Sequence, residues 1–130
     1  MSFIGIPFRE RDGGRAGTHC WGLVRLVYRE NHRIELPEHA EIGAHEVLSI
    51  ARETKRQMTS RTWLRVDEPR YPDVAVMSAL GGDHPVHVGV VFPELRLLHL
   101  EERTASVCVP LAHPVIEPRL LGFFRHEAFR

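Results

Sequence analysis

The chain has 130 residues, 17 Lys+Arg against 17 Asp+Glu, and 43% hydrophobic residues, a composition that suits one globular domain over residues 1–130 and lacks the signature of disorder. A slight basic excess in the first half is matched by an acidic one in the second, far from the clustered positive charge that a nucleic-acid partner requires. No apolar run approaches the roughly 18 residues of a membrane span, and residues 1–9 have neither the charged start nor the apolar stretch of a signal peptide, so neither membrane insertion nor export by that route is expected.

Gly5 to Gly17 holds Pro7 and the pair Gly13-Gly14 among charged residues, which predicts an irregular loop. Thr18 is the candidate N-cap of a first helix over about residues 19–30, where Leu23, Val24, Val27 and Tyr28 recur at helical spacing. After a connector containing Pro37, Val47, Leu48, Ala51 and Thr54 give Ala44–Met58 the same periodicity and predict a second helix. From there the texture is β. The runs Asp73–Met77, His87–Phe92, Leu95–Glu101, Ser106–Leu111 and Leu120–Arg125 are separated by turn residues such as Gly81-Gly82-Asp83 and Pro93-Glu94, which predicts an antiparallel meander. Helices first and strands afterwards make an α+β domain, with N-terminal helices packed on a five-stranded antiparallel sheet.

Nine histidines are the one unusual count. Two cysteines, Cys20 and Cys108, are too few for a disulfide framework, so free thiols are expected. Cys20 falls in the first turn of the first helix, where unpaired N–H groups and the positive dipole end favour an anion and lower a thiol pKa. A small buried hydrophobe is the competing reading of any single cysteine. His87 opens the apolar run Val88-Gly89-Val90-Val91-Phe92, and His99 lies twelve residues on, between leucines in the next predicted strand. Adjacent antiparallel strands can set both imidazoles on one face, which would supply a nucleophile, a base and an orienting third group. A zinc sphere built on His84 and His87 with Cys20 or His99 is disfavoured by Pro85 between the two histidines and by the lack of a Cys-x-x-Cys pair, and no metal is expected. His19, His32, His39, His45, His113 and His126 read as solvated surface.

Read in order, Ile6-Pro7-Phe8-Arg9, Gly17-Thr18-His19-Cys20-Trp21-Gly22-Leu23-Val24, Pro72-Asp73-Val74, His87-Val88-Gly89-Val90 and Leu98-His99 resemble the NlpC-type cysteine peptidases over nearly the whole chain. The Cys-Trp-Gly-Leu-Val form and the closing Gly122-Phe123-Phe124-Arg125 are similar to the phage and prophage tail-tip variant. The resemblance implies a papain-like core with the nucleophile Cys20 at the start of the first helix, His87 as base and His99 as third residue. It implies cleavage of peptidoglycan stem peptides, commonly beside D-glutamate and diaminopimelate, through a thioester and without a cofactor. A chain of the tail type would be made in the cytoplasm and carried to the wall by a phage tail, with tail-tip proteins as partners. Phe8, His19 and Trp21 are the residues it places beside substrate or oxyanion. Two of these depart from the family pattern: Phe8 stands where many members have a tyrosine, and His19 where many have an aspartate.

Overall fold

The structure is a computed structural model and describes residues 2–37 and 62–130. The predicted helix Ala44–Met58, with His39 and His45, lies outside the described residues. Helix α1 (Cys20–His32) buries Trp21, Leu23, Val24, Leu26, Val27 and Tyr28, and each fully buried aliphatic side chain contributes about 1.5–3 kcal/mol to folding. The helix runs two residues past its predicted end. His32 packs edge-on against Tyr28 and Phe129 and meets the Tyr71 hydroxyl at 3.1 Å, and Arg33 ends the helix in the left-handed region, with its N–H on the Arg29 carbonyl.

At the other end of α1 the expected cap is displaced by one residue. His19 is the N-cap, accepting the Gly22 N–H at its Nδ1 at 3.1 Å. Thr18 is committed elsewhere, its N–H on the Pro7 carbonyl, its carbonyl on the Arg9 N–H and its hydroxyl donated to Asp12 at 3.0 Å. The loop before the helix is thereby pinned along its length, because Gly5 and Phe8 also bond to Ser106 and Thr104.

The described residues form six strands, not the five predicted: β1 (Trp63–Val66), β2 (Val74–Ser78), β3 (Pro85–Phe92), β4 (Arg96–His99), β5 (Val107–Pro110) and β6 (Leu120–His126). All neighbours are antiparallel in the order β1-β6-β2-β3-β4-β5. Strands β2 to β5 make the expected meander, but β6 leaves it and inserts between β1 and β2. Strand β1, only four residues long, was not predicted. Alternation along β2 divides the core, since Val74 and Val76 join α1, Val88, Val90, Leu98 and Phe124, while Ala75 and Met77 join Val91, Leu97, Leu111 and Ile116 on the opposite face. Only one described α-helix covers the first face, and the second is closed by residues 111–116 and the side chains around them.

The Pro-Asp pair before β2 is structural. Asp73 is 1% exposed and receives Arg125 through two nitrogens, at 2.9 and 2.8 Å, and the Arg70 N–H at 2.9 Å. A carboxylate taken out of water needs such partners on both oxygens, and this one ties β6 to the start of β2.

Candidate active site

Cys20 is the first residue of α1 and half-buried against the core. Its position depends on Gly22, where a Cβ would collide with Thr18 Oγ1 and stand 2.9 Å from Asp12 Cγ. Only glycine lets the first turn lie this close to the pinned loop. The turn rests on a polar cluster in which Asp12 accepts from Arg25, Thr18 and the Gly14 N–H. Burial raises the Asp12 pKa, but those three partners outweigh it and hold the carboxyl below its usual range.

His87 enters from β3 and His99 from the end of β4. The register Val90↔Leu98 and Val91↔Leu97 carries Gly89 opposite His99, and a Cβ on Gly89 would approach the His99 Cβ to 3.1 Å and the Leu98 carbonyl to 2.8 Å. With glycine there, His87 Nε2 and His99 Nδ1 meet at 3.0 Å, the rings set edge to face. Both are buried. A cleft of about 280 Å³ is lined by Cys20 and His87, with Phe8, His19, Leu80 and Glu101 among the other residues around it. The Trp21 ring is elsewhere, 1% exposed in the core with its indole N–H on the Pro37 carbonyl at 2.9 Å.

Two side chains that the sequence reading passed over complete the group. The Glu101 carboxylate lies 3.7 Å from His99 Nδ1 and accepts from Arg119 at 2.7 Å, while Arg119 Nε donates to the Ser78 carbonyl at 3.0 Å. Glu101 lies two residues past the end of β4, where strand alternation no longer points to it. Arg119 comes from a distant turn and carries no signal either. His87, His99 and Glu101 place donor atoms within 4.8 Å of one another, a spacing open to a divalent cation. Here the facing nitrogens are bonded to each other and the carboxylate to Arg119, so those atoms are already engaged. His84 is 89% exposed beside Asp83 and does not join them.

The electrostatics differ from the sequence expectation in one respect. Cys20 does not rest with a lowered pKa: burial pushes the thiol up, outweighing the N–H groups of Val88, Trp21 and Cys20 itself, and the Glu101 charge adds to the rise. Helix-terminal N–H groups favour the thiolate and burial disfavours it, and here burial is the larger effect. Burial and the neighbouring His99 likewise pull His87 well below the usual histidine range, and burial lowers His99 and His19. At neutral pH the site therefore holds a thiol beside a neutral imidazole. With Nε2 engaged by His99, Nδ1 is the nitrogen of His87 left to accept a proton. Three other histidines correct the expectation of solvated surface, because His19 caps α1, His32 sits among aromatic rings and His126 is buried against Trp63 and Tyr28. Cys108 is free and half-buried on β5, and among the described residues that line its groove with Phe3, Phe92 and Leu98 there is no histidine.

The model of the NlpC/P60 family matches residues 5–125. The chain belongs to the NlpC/P60 family. Solved structures carry the same fold: an NlpC/P60 family protein from Bacillus cereus has TM-score 0.65 at 17% identity, covering 95% of this chain and 36% of its own. A Staphylococcus aureus protein described as similar to a lipoprotein of the NLP/P60 family has TM-score 0.60 at 19% identity, covering 95% of this chain and 37% of its own. The NlpC/p60 domain of the peptidoglycan hydrolase SagA has TM-score 0.56 at 15% identity, with 84% and 80% covered. The chain thus spans little more than a third of the first of these NlpC/P60 proteins. No curated protein matches it.

Proposed function

We propose that this NlpC/P60 chain is a cysteine endopeptidase that hydrolyses amide bonds in peptidoglycan stem peptides, of the D-glutamate and diaminopimelate type. The observation that carries the reading is the shared cleft of Cys20 and His87, with His99 bonded behind His87 at 3.0 Å. The hydrolase name of the SagA domain, which has this fold, supports the substrate class.

His87 Nδ1 takes the Cys20 proton as Sγ attacks the scissile carbonyl, so the S–H bond breaks as the S–C bond forms. His87 keeps its Nε2 proton on His99 Nδ1 throughout, which holds the ring in the tautomer that leaves Nδ1 free to accept. The proton passes to the leaving amine and a thioester remains. Water, deprotonated by the same imidazole, then releases the acid and restores the thiol. In this reading, N–H groups at the first turn of α1 receive the oxyanion. Phe8 and His19 line the cleft beside the nucleophile, and Trp21 contributes its backbone and not its ring.

Delivery by a phage or prophage tail is the finer part of the proposal and rests on the Cys-Trp-Gly-Leu-Val sequence at 20–24. A second reading, a tail-tip assembly module with weak or no catalysis, is favoured by one observation, the upward shift of the Cys20 thiol. Mass spectrometry of muropeptides released from diaminopimelate-type peptidoglycan separates the two, with Cys20→Ala as the paired control. New stem-peptide fragments from the wild type alone are expected and would name the bond. Fragments from neither folded protein would favour the assembly module.

A further inference from the structure

We propose that Glu101, held by Arg119, is a positioning residue of the thiol site, offsetting the positive charge that His87 gains when it takes the Cys20 proton. The inference rests on the reading of Cys20 and His87 as nucleophile and base, and adds a charge pair that this reading does not contain.

The geometry is specific. Glu101 has a donor atom within 4.8 Å of both His87 and His99, yet its 3.7 Å approach to His99 Nδ1 is too long for a hydrogen bond. That nitrogen is already bonded to His87 at 3.0 Å, so the carboxylate acts on the pair through its field. Its place is set from two other segments. Arg119, 7% exposed at the end of the short turn Glu117–Arg119, is anchored on the Ser78 carbonyl at the end of β2 and grips Glu101 at 2.7 Å. A carboxylate that only decorated the rim would not need a buried guanidinium to hold it.

The energetics follow from the proton transfer. Before it, the imidazoles are neutral and Glu101 is balanced by Arg119. After it, His87 is cationic in a buried setting, and a carboxylate within a few ångströms favours that state. The other titratable groups lining the cleft are His19, Cys20 and Glu102, and His99 stands behind His87. Glu101 raises the proton affinity of both histidines, whereas Arg119 lowers it. The two residues therefore form an adjustable pair whose members have opposite signs.

That opposition is the test. NMR titration of the His87 imidazole in the full chain needs no substrate, so it stands even if the stem-peptide reading fails. Glu101→Gln keeps the shape and removes the charge, and should move the His87 midpoint down by about one pH unit and lower kcat/KM by up to about tenfold, the loss carried in kcat. Glu101→Asp should recover most of both. Arg119→Gln should move the midpoint upward. Should that buried substitution prevent folding, the Gln and Asp variants at 101 decide alone. A His87 midpoint unchanged by Glu101→Gln would overturn the proposal, as would a raised KM with kcat intact, the mark of a substrate contact.

Discussion

Cys20 and His87 are both held in their neutral forms by burial, so the resting cleft holds no preformed thiolate–imidazolium pair. This sets the pH behaviour. His87 accepts a proton only when neutral, and its pKa lies below the ordinary histidine value of about 6.5. The acid limb of kcat/KM should therefore fall well under that pH. Alkylation of Cys20 by iodoacetamide, without substrate, should stay slow at neutrality and climb only above pH 9, the ordinary thiol value that burial exceeds. Fast alkylation at pH 7 would contradict the thiol resting state. On the proposed roles of His87 as base and His99 as orienter, His87→Ala should lower kcat/KM by about 10²–10⁴, and His99→Ala by less. Equal losses would assign His99 a direct part in proton transfer. Cys20, His87 and His99 were legible as residues because their types and the twelve-residue interval carry chemistry. Glu101 and Arg119 were not, since a glutamate and an arginine 18 positions apart look like solvated charge until a turn brings them together.

Helix α1 begins on an imidazole, an unusual N-cap whose competence depends on its protonation. Nδ1 accepts the Gly22 N–H only while unprotonated. Burial lowers the His19 pKa in the folded state. The unfolded chain therefore takes up a proton first, and stability present above about pH 6.5 is lost as the pH falls below it. His19→Ala should cost about 1 kcal/mol at pH 7.5 by urea denaturation. His19→Asn, which caps without titrating, should hold its stability better than the wild type between pH 7 and 5; a parallel decline in both would show that the cap is not the sensitive group. The same turn makes Gly22 intolerant of a side chain. Gly22→Ala should destabilise by about 1–3 kcal/mol through overpacking against Thr18 and Asp12, despite alanine's better helix propensity. The helix itself was legible from its apolar spacing, whereas the cap was displaced by the competing bonds of Thr18, a contest between side chains that helical periodicity does not register.

Across the whole molecule, the Asp73–Arg125 pair joins the entry of β2 to the C-terminal end of β6 and so closes the non-local part of the sheet. Asp73→Ala leaves a mostly buried guanidinium without its partner and should cost about 3–5 kcal/mol by thermal or urea unfolding; a loss below 1 kcal/mol would mean that Arg125 finds solvent. Local pattern determined much on its own: helix before strands, the β2–β5 meander with its turns, the class of the fold, and the cysteine and histidines that distinguish the chain. These are written in periods of 3.6 and 2 residues and in turn residues, all of which act over a few positions. What only the tertiary structure decided is non-local. The insertion of β6 between β1 and β2, the Glu101–Arg119 grip and the raised Cys20 thiol each depend on which distant groups share one buried space. Desolvation and Coulomb energies are set by that enclosure and by distances through space, and separation along the chain contains neither.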